Sequence, residues 1–354
     1  MIKIAKFIIP RVLVLAITLI AANFIYTKFF FEKDLQMHAD MINLTRGKDS
    51  ARVIYMGESS NFTSHSDDKD PRSISGMLCD YFPGLNIQDI SHGALHAYNY
   101  YIFLKTIQNN SKLETIIITL NLRSFDANWR YSDLETFLQK QMVMIDPTYP
   151  PLFRRFLLGF KGYDNKTVKE RERQFLHEWE TTVLKVPFPL QYNTVRKWDK
   201  GIATNGYIDV SGNRNEDSTI LACHYVKTYA FQIDTNKNPR IKDFDNIVKL
   251  AKQRGWHVIF NLMAENTQKA DKLVGKELVY LIKQNRDLLV SRYSKMGAIV
   301  VDNLECVNDS NYIDQNWTTE HYKETGRKTI AKNLSEALKT IYPQYYKSIV
   351  ADNK

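Results

Sequence analysis

Arg52-Val53-Ile54-Tyr55-Met56-Gly57-Glu58-Ser59-Ser60-Asn61-Phe62-Thr63 is the stretch on which the reading of this chain turns. Val53 to Met56 form a short apolar run and predict a buried strand. The run stops at Gly57, and a carboxylate and two hydroxyls follow at once. A strand that ends in a glycine turn and presents a serine is one way to hold a nucleophile at the edge of a sheet. Gly, Ser and Asn are also ordinary turn formers, so the stretch by itself equally suits a plain β-turn.

The sequence on either side decides the fold class. Residues 64–72 are highly charged and read as a surface loop. Residues 73–82 have helical character, and 85–90 predict a second strand that ends at Ser91-His92-Gly93. In 94–108, Leu95, Tyr98, Ile102, Leu104 and Ile107 fall mostly on one side of a helix. Residues 114–120 hold a near-continuous apolar run, the pattern of a strand buried on both faces of a parallel sheet. From about 125 to 241 the alternation stops, and aromatics, prolines and charges mix. We read this region as an insertion that forms a cap or binding surface, with an amphipathic helix over 167–184. The alternation then returns as a helix over 241–254, a strand over 256–262, a long helix over 273–296, a strand over 298–301 and a closing helix over 325–341. Strands alternating with helices predict a three-layer α/β/α sandwich with a parallel, flavodoxin-like sheet of about five strands. In such sheets the ligand site lies outside the carboxyl ends of the strands.

Composition narrows the function. The chain has 354 residues, 44% of them hydrophobic and 25% charged, which is enough for one large globular domain or two small ones. Its net charge of +9 is spread along the chain with acids between the cations. No basic stripe marks a nucleic-acid face, and a basic protein of this kind suits an anionic membrane or polymer. Cys79, Cys223 and Cys306 are too few and too far apart for a disulfide framework. Within residues 7–31 the centre, 12–25, is apolar apart from Thr18 and Asn23, and Lys3, Lys6 and Arg11 lie before that centre. The length of the span with its flanks suits a bilayer, and the cations before its centre predict a cytoplasmic N-terminus. Ala21 and Ala22 make a poor cleavage site, so an uncleaved anchor is expected rather than a signal peptide. The expected organisation is a transmembrane anchor at 1–34, a linker at 35–51 and an α/β domain at 52–354 outside the cytoplasm, periplasmic or at the cell surface.

Four segments fall at or near the carboxyl ends of predicted strands: Gly57-Glu58-Ser59-Ser60, Ser91-His92-Gly93, Asn121-Leu122-Arg123-Ser124 and Glu320-His321. A serine needs a base to lose its proton at neutral pH, and histidine suits that task. Backbone N–H groups and an asparagine amide can receive a developing oxyanion. Other candidates have plain readings beside the chemical ones. His92 and His96 are four apart, a metal-type spacing, but no third ligand stands out, and neither a metal nor another cofactor is expected. Arg123, with Trp129 and Arg130, suits either an anionic or sugar substrate or an ordinary surface. Trp179, Trp198, Tyr192 and Tyr207 suit either sugar stacking or a core.

This set of residues resembles the SGNH/GDSL hydrolase family. The family's Gly-Asp-Ser turn reads Gly57-Glu58-Ser59 here, its glycine after strand two is Gly93, and its asparagine after strand three is Asn121. Its late histidine stands in His321-Tyr322-Lys323-Glu324-Thr325-Gly326-Arg327. The resemblance implies Ser59 as nucleophile and His321 as general base, with the Ser59 and Gly93 N–H groups and the Asn121 side chain as oxyanion hole. The family's aspartate three residues before the histidine is Thr318 here, which leaves Glu320 and Asp314 as the nearby carboxylates to orient the ring. The family's glycine two residues before the asparagine is Thr119. The anchor is similar to that of the branch acting on acyl groups of cell-surface polymers. The implied function is a membrane-anchored esterase or O-acyltransferase on an acylated polysaccharide or glycan. The alternative is an SGNH-fold protein that binds such a polymer, or an assembly partner, without catalysis.

Overall fold

Strand β1 (Val53–Gly57) lies between β2 (Ile87–Ser91) and β3 (Thr115–Leu120), and β3 in turn pairs with β4 (His257–Leu262) and β4 with β5 (Ile299–Asp302). All four pairings are parallel, giving the order β2-β1-β3-β4-β5. This is the five-stranded α/β architecture expected. The computed structural model describes residues 2–348. Residues 1 and 349–354, the outer ends of the expected anchor and domain, lie outside the described residues, as do the side chains of Lys3 and Lys6.

Every residue of β1 and β3 is buried, which is why these runs are continuously apolar instead of alternating. Successive side chains still point to opposite faces. Ile54, Met56, Ile116, Ile118 and Phe260 pack on one side, and Val53, Tyr55, Ile117 and Ile259 on the other.

The principal helices, in chain order, begin with α1 (Ile2–Phe29), α2 (Ile74–Asp80) and α3 (Ala97–Thr106). The region expected as an insertion supplies α4 (Asp133–Ile145), α5 (Pro151–Gly159), α6 (Val168–Thr181), α7 (Val195–Asn205) and α8 (Glu216–Tyr229). The chain closes with α9 (Pro239–Arg254), α10 (Lys276–Lys295) and α11 (Glu324–Lys339). Helices α3, α9 and α10 cover the first face through Phe103, Phe244 and Leu289, and α2 and α11 cover the second through Leu78 and Leu334.

Two expectations need correction. The helix expected over 273–296 starts three residues later, as α10, and a separate short helix, Thr267–Leu273, precedes it across Gly275. Gly275 has φ 120°, a conformation that ends one helix before the next begins. The region between 125 and 241 is mostly helical, and it shares the core of the first sheet face. Trp179, Trp198, Tyr225 and Tyr229 are buried there, so Trp179 and Trp198 are core residues and offer no sugar platform. Its helix starts follow ordinary capping rules: Thr167 caps α6 and pairs reciprocally with Glu170, Thr194 caps α7, and Asn215 caps α8. Glu135 on α4 joins the insertion to the core by accepting from Arg240 of α9 at 2.7 Å and lying 3.1 Å from His96 Nε2.

Candidate active site

The site starts where β1 ends. A Cβ on Gly57 would meet Ser91 Oγ at 2.7 Å, Asn61 Cβ at 2.8 Å and the Tyr55 ring at 2.9 Å. The strand therefore reaches its carboxyl end pressed against its neighbours, in a space that only glycine fits. Glu58 is extended, and Ser59 opens a one-turn helix, Ser59–Phe62. Asn61 fixes that turn: its amide donates to Ser75 Oγ at 3.0 Å and to Ser91 Oγ at 2.8 Å, and its oxygen accepts from the Ser75 N–H at 2.9 Å. Ser60 is buried, with its hydroxyl toward Glu58. Ser59 is the half-buried hydroxyl of the pair.

The partner loop comes from the far end of the chain. Tyr312 and Tyr322 form an antiparallel bridge, flanked by Ile313 N–H to the His321 carbonyl at 2.9 Å and Lys323 N–H to the Asn311 carbonyl at 2.8 Å. This folds 311–323 back on itself and sets Asp314 beside His321. His321 Nε2 is 3.0 Å from Ser59 Oγ, and its Nδ1 is 2.6 Å from Asp314 Oδ2. A carboxylate at Nδ1 fixes the proton there and leaves Nε2 as the acceptor. Thr319 Oγ1 also donates to Asp314 Oδ2. Arg327 holds the loops together from below. Its guanidinium is fully buried and donates to Asp68 and to the carbonyls of Thr63, Asp70, Arg72 and Tyr322. The charged segment 64–72 is thus clasped to the start of α11.

Glu320 does not reach the ring. It is buried and pairs with Arg123 at 2.9 Å. Arg123, expected as a substrate contact, is correspondingly withdrawn: it donates to the Thr318 carbonyl and stacks on Trp129 at 5.0 Å. The charges of Glu58 and Glu265, as well as that of Glu320, act on the same guanidinium. Glu265 accepts from Tyr229 OH at 2.5 Å. Burial, reinforced by the charge of Glu320, pushes Glu58 up to about 7 and Glu265 well above the usual carboxylate range. This carboxylate cluster is absent from the sequence reading. Its one local signal is that Glu58 and Glu265 both follow the carboxyl ends of strands.

Asn121 follows β3 and is buried. Its oxygen accepts from the Arg123 N–H at 2.8 Å, and its amide nitrogen donates to Glu58 Oε1. One amide hydrogen thus orients the side chain and the second is left over. Gly93 sits in the turn after β2, with open space where a side chain would be. Among the described residues, neither the Ser59 nor the Gly93 N–H is engaged by an acceptor. His92 Nδ1 lies 2.8 Å from the Gly93 carbonyl, while His96 is enclosed against Glu135. The two histidines therefore do not form a common site.

No family model matches the chain, and no curated protein matches it. Solved structures similar to it include a GDSL-like lipase from Bacteroides thetaiotaomicron, at 10% identity over 88% of this chain and 98% of that one, TM-score 0.33. A member of the lipolytic G-D-S-L family from Veillonella parvula is 10% identical over 81% of this chain and 97% of that one, TM-score 0.35. A variant of an acetyl-xylooligosaccharide esterase from Geobacillus is 10% identical over 85% of this chain and 100% of that one, TM-score 0.35. At such identities and scores the fold assignment rests on the chain's own strand order and helical layers, and these make it a flavodoxin-like three-layer α/β/α sandwich.

Proposed function

We propose that this chain is a membrane-anchored serine esterase or O-acyltransferase that works through an acyl-Ser59 intermediate on an acylated cell-surface polysaccharide or glycan. The observation that carries the proposal is the unbroken chain Ser59 Oγ, His321, Asp314, with 3.0 Å and 2.6 Å steps. Ser59 Oγ attacks the ester carbonyl carbon as His321 Nε2 takes the hydroxyl proton. Asp314 holds the ring and stabilises the imidazolium. The Ser59 and Gly93 N–H groups, with the free hydrogen of the Asn121 amide, receive the oxyanion. Collapse breaks the bond to the alcohol, which leaves with the proton from Nε2. Water or an acceptor hydroxyl then attacks acyl-Ser59, again giving its proton to Nε2, and Ser59 is restored. Water as acceptor makes the protein an esterase, and a sugar hydroxyl makes it a transferase.

The anchor reading is supported by Phe7–Phe29, 23 residues of which none of the apolar window is buried in the protein. At ~1.5 Å per residue such a helix spans the ~30 Å hydrocarbon layer. The net charge of +9 suits an anionic polymer or membrane. Assay of the full chain and of Ser59→Ala with an aryl acetate tests the reading: loss of turnover in the variant supports it, and unchanged turnover removes Ser59 from the reaction.

A further inference from the structure

We propose that α5 is a second membrane contact, an interfacial helix lying in the outer boundary between headgroups and acyl chains beside α1. The inference rests on the reading of α1 as a membrane-spanning helix.

The attachment point sets the depth. Asn23, a polar residue inside the apolar stretch, accepts from the Leu152 N–H at 3.0 Å, so it is bound to the first turn of α5. Asn23 lies six residues before Phe29, about 9 Å along the helix axis. If Phe7–Phe29 fills the hydrocarbon layer, the start of α5 is held just inside its outer edge. Interfacial helices sit roughly 5–10 Å deep.

The composition of α5 fits that place. None of its residues is buried. Phe153 and Phe156 are 45% and 41% exposed, and Phe160, just after the helix, is 83% exposed. Their spacing puts them on neighbouring turns. Ile20 and Phe24 of α1 are exposed in the same way, and an apolar cleft of about 580 Å³ separates the two helices. In water a continuous aromatic and aliphatic surface of this kind is a liability. At a bilayer surface it is the contacting face.

The cations point the other way. Arg154 donates to the Tyr149 carbonyl at 2.7 Å and stacks on Phe31 at 5.4 Å, and Arg155 pairs with Asp34 at 3.4 Å. They form a layer past the end of α1, at the level of lipid phosphates. Apolar residues below and arginines above match the order of an outer leaflet, and two attachments instead of one fix how the α/β domain faces the bilayer.

The test uses the full chain in vesicles of phosphatidylcholine and phosphatidylglycerol, with Cys79, Cys223 and Cys306 changed to alanine. Phe160→Cys, Phe24→Cys and Val210→Cys each receive a nitrobenzoxadiazole label, and nitroxide-bearing lipid is the quencher. All three positions are exposed, so the substitutions leave the packing intact. The proposal expects the labels at 24 and 160 to lose most of their emission and the label at 210 to keep it. Quenching at 24 without quenching at 160 overturns the proposal while leaving the anchor, and α5 then faces water or a second copy. No quenching at either position overturns the spanning reading and the proposal with it.

Discussion

Asp314 Oδ2 lies 2.6 Å from His321 Nδ1 across seven residues of sequence, because the Tyr312–Tyr322 bridge folds the intervening loop into a hairpin. The carboxylate thus reaches the ring from a position other than the one three residues before it, which Thr318 occupies. Thr318 is spent on a different contact, with its hydroxyl 3.2 Å from that of Thr228. Asp314→Asn should keep the fold but lose control of the imidazole tautomer, lowering kcat/KM by roughly 10²–10⁴-fold. Steady-state kinetics on an aryl ester, with circular dichroism as the fold check, measures this.

Arg123 has a different role, and its variant should have a different signature. Its guanidinium pairs with Glu320 in a buried setting, within the field of Glu58 and Glu265. Arg123→Met leaves Glu320 without its cation, and removal of one partner from a buried ion pair costs about 3–5 kcal/mol. Urea unfolding should show that loss, against little change for Lys185→Met, an exposed side chain.

Glu58 makes stability depend on pH. Its carboxyl is pushed by burial and by Glu320 from 4.5 to about 7. Between those values the folded protein keeps a proton that the unfolded chain has released. Its contribution is therefore fully present below pH 4.5 and is lost as pH rises through about 7. Glu58→Gln keeps an acceptor for the Asn121 amide and removes the titration. Its Tm should gain on the wild-type value as pH rises from 5 to 8, and a constant difference across that range would contradict the assignment.

Gly57 is a steric requirement. A methyl there meets Ser91, Asn61 and Tyr55 within 2.9 Å. Overpacking of this kind costs about 1–3 kcal/mol, and relief by a shift of the Ser59 turn would also move Oγ away from His321. Gly57→Ala should therefore lose both Tm and kcat, whereas Gly93→Ala, with open space around it, should keep its Tm.

The sequence carries the sheet clearly because β1 and β3 are buried on both faces and can tolerate only apolar residues. The approach of His321 to Ser59 was legible for a related reason: one follows a strand and the other precedes the last helix, and topology alone brings those points together. Asp314 was legible only as one of two candidates, since its placement depends on a pairing between Tyr312 and Tyr322 that local pattern does not announce. Arg123 reads as a substrate contact or a surface cation because Glu320, the acid that buries it, arrives from a loop far along the chain, before α11. The insertion was obscure because its helices, such as those that carry Trp179 and Trp198, are separated by irregular segments that prolines and charges punctuate, with no strands of the main sheet between them to give the alternation.

The central claim is that Ser59 is a nucleophile activated by His321. Treatment of the full-length protein with a fluorophosphonate, followed by peptide mass analysis, tests it most directly. The account predicts a phosphonyl adduct on Ser59 that disappears in Ser59→Ala and forms far more slowly in His321→Ala. An adduct on Ser60, or labelling of Ser59 at the same rate without His321, would contradict it.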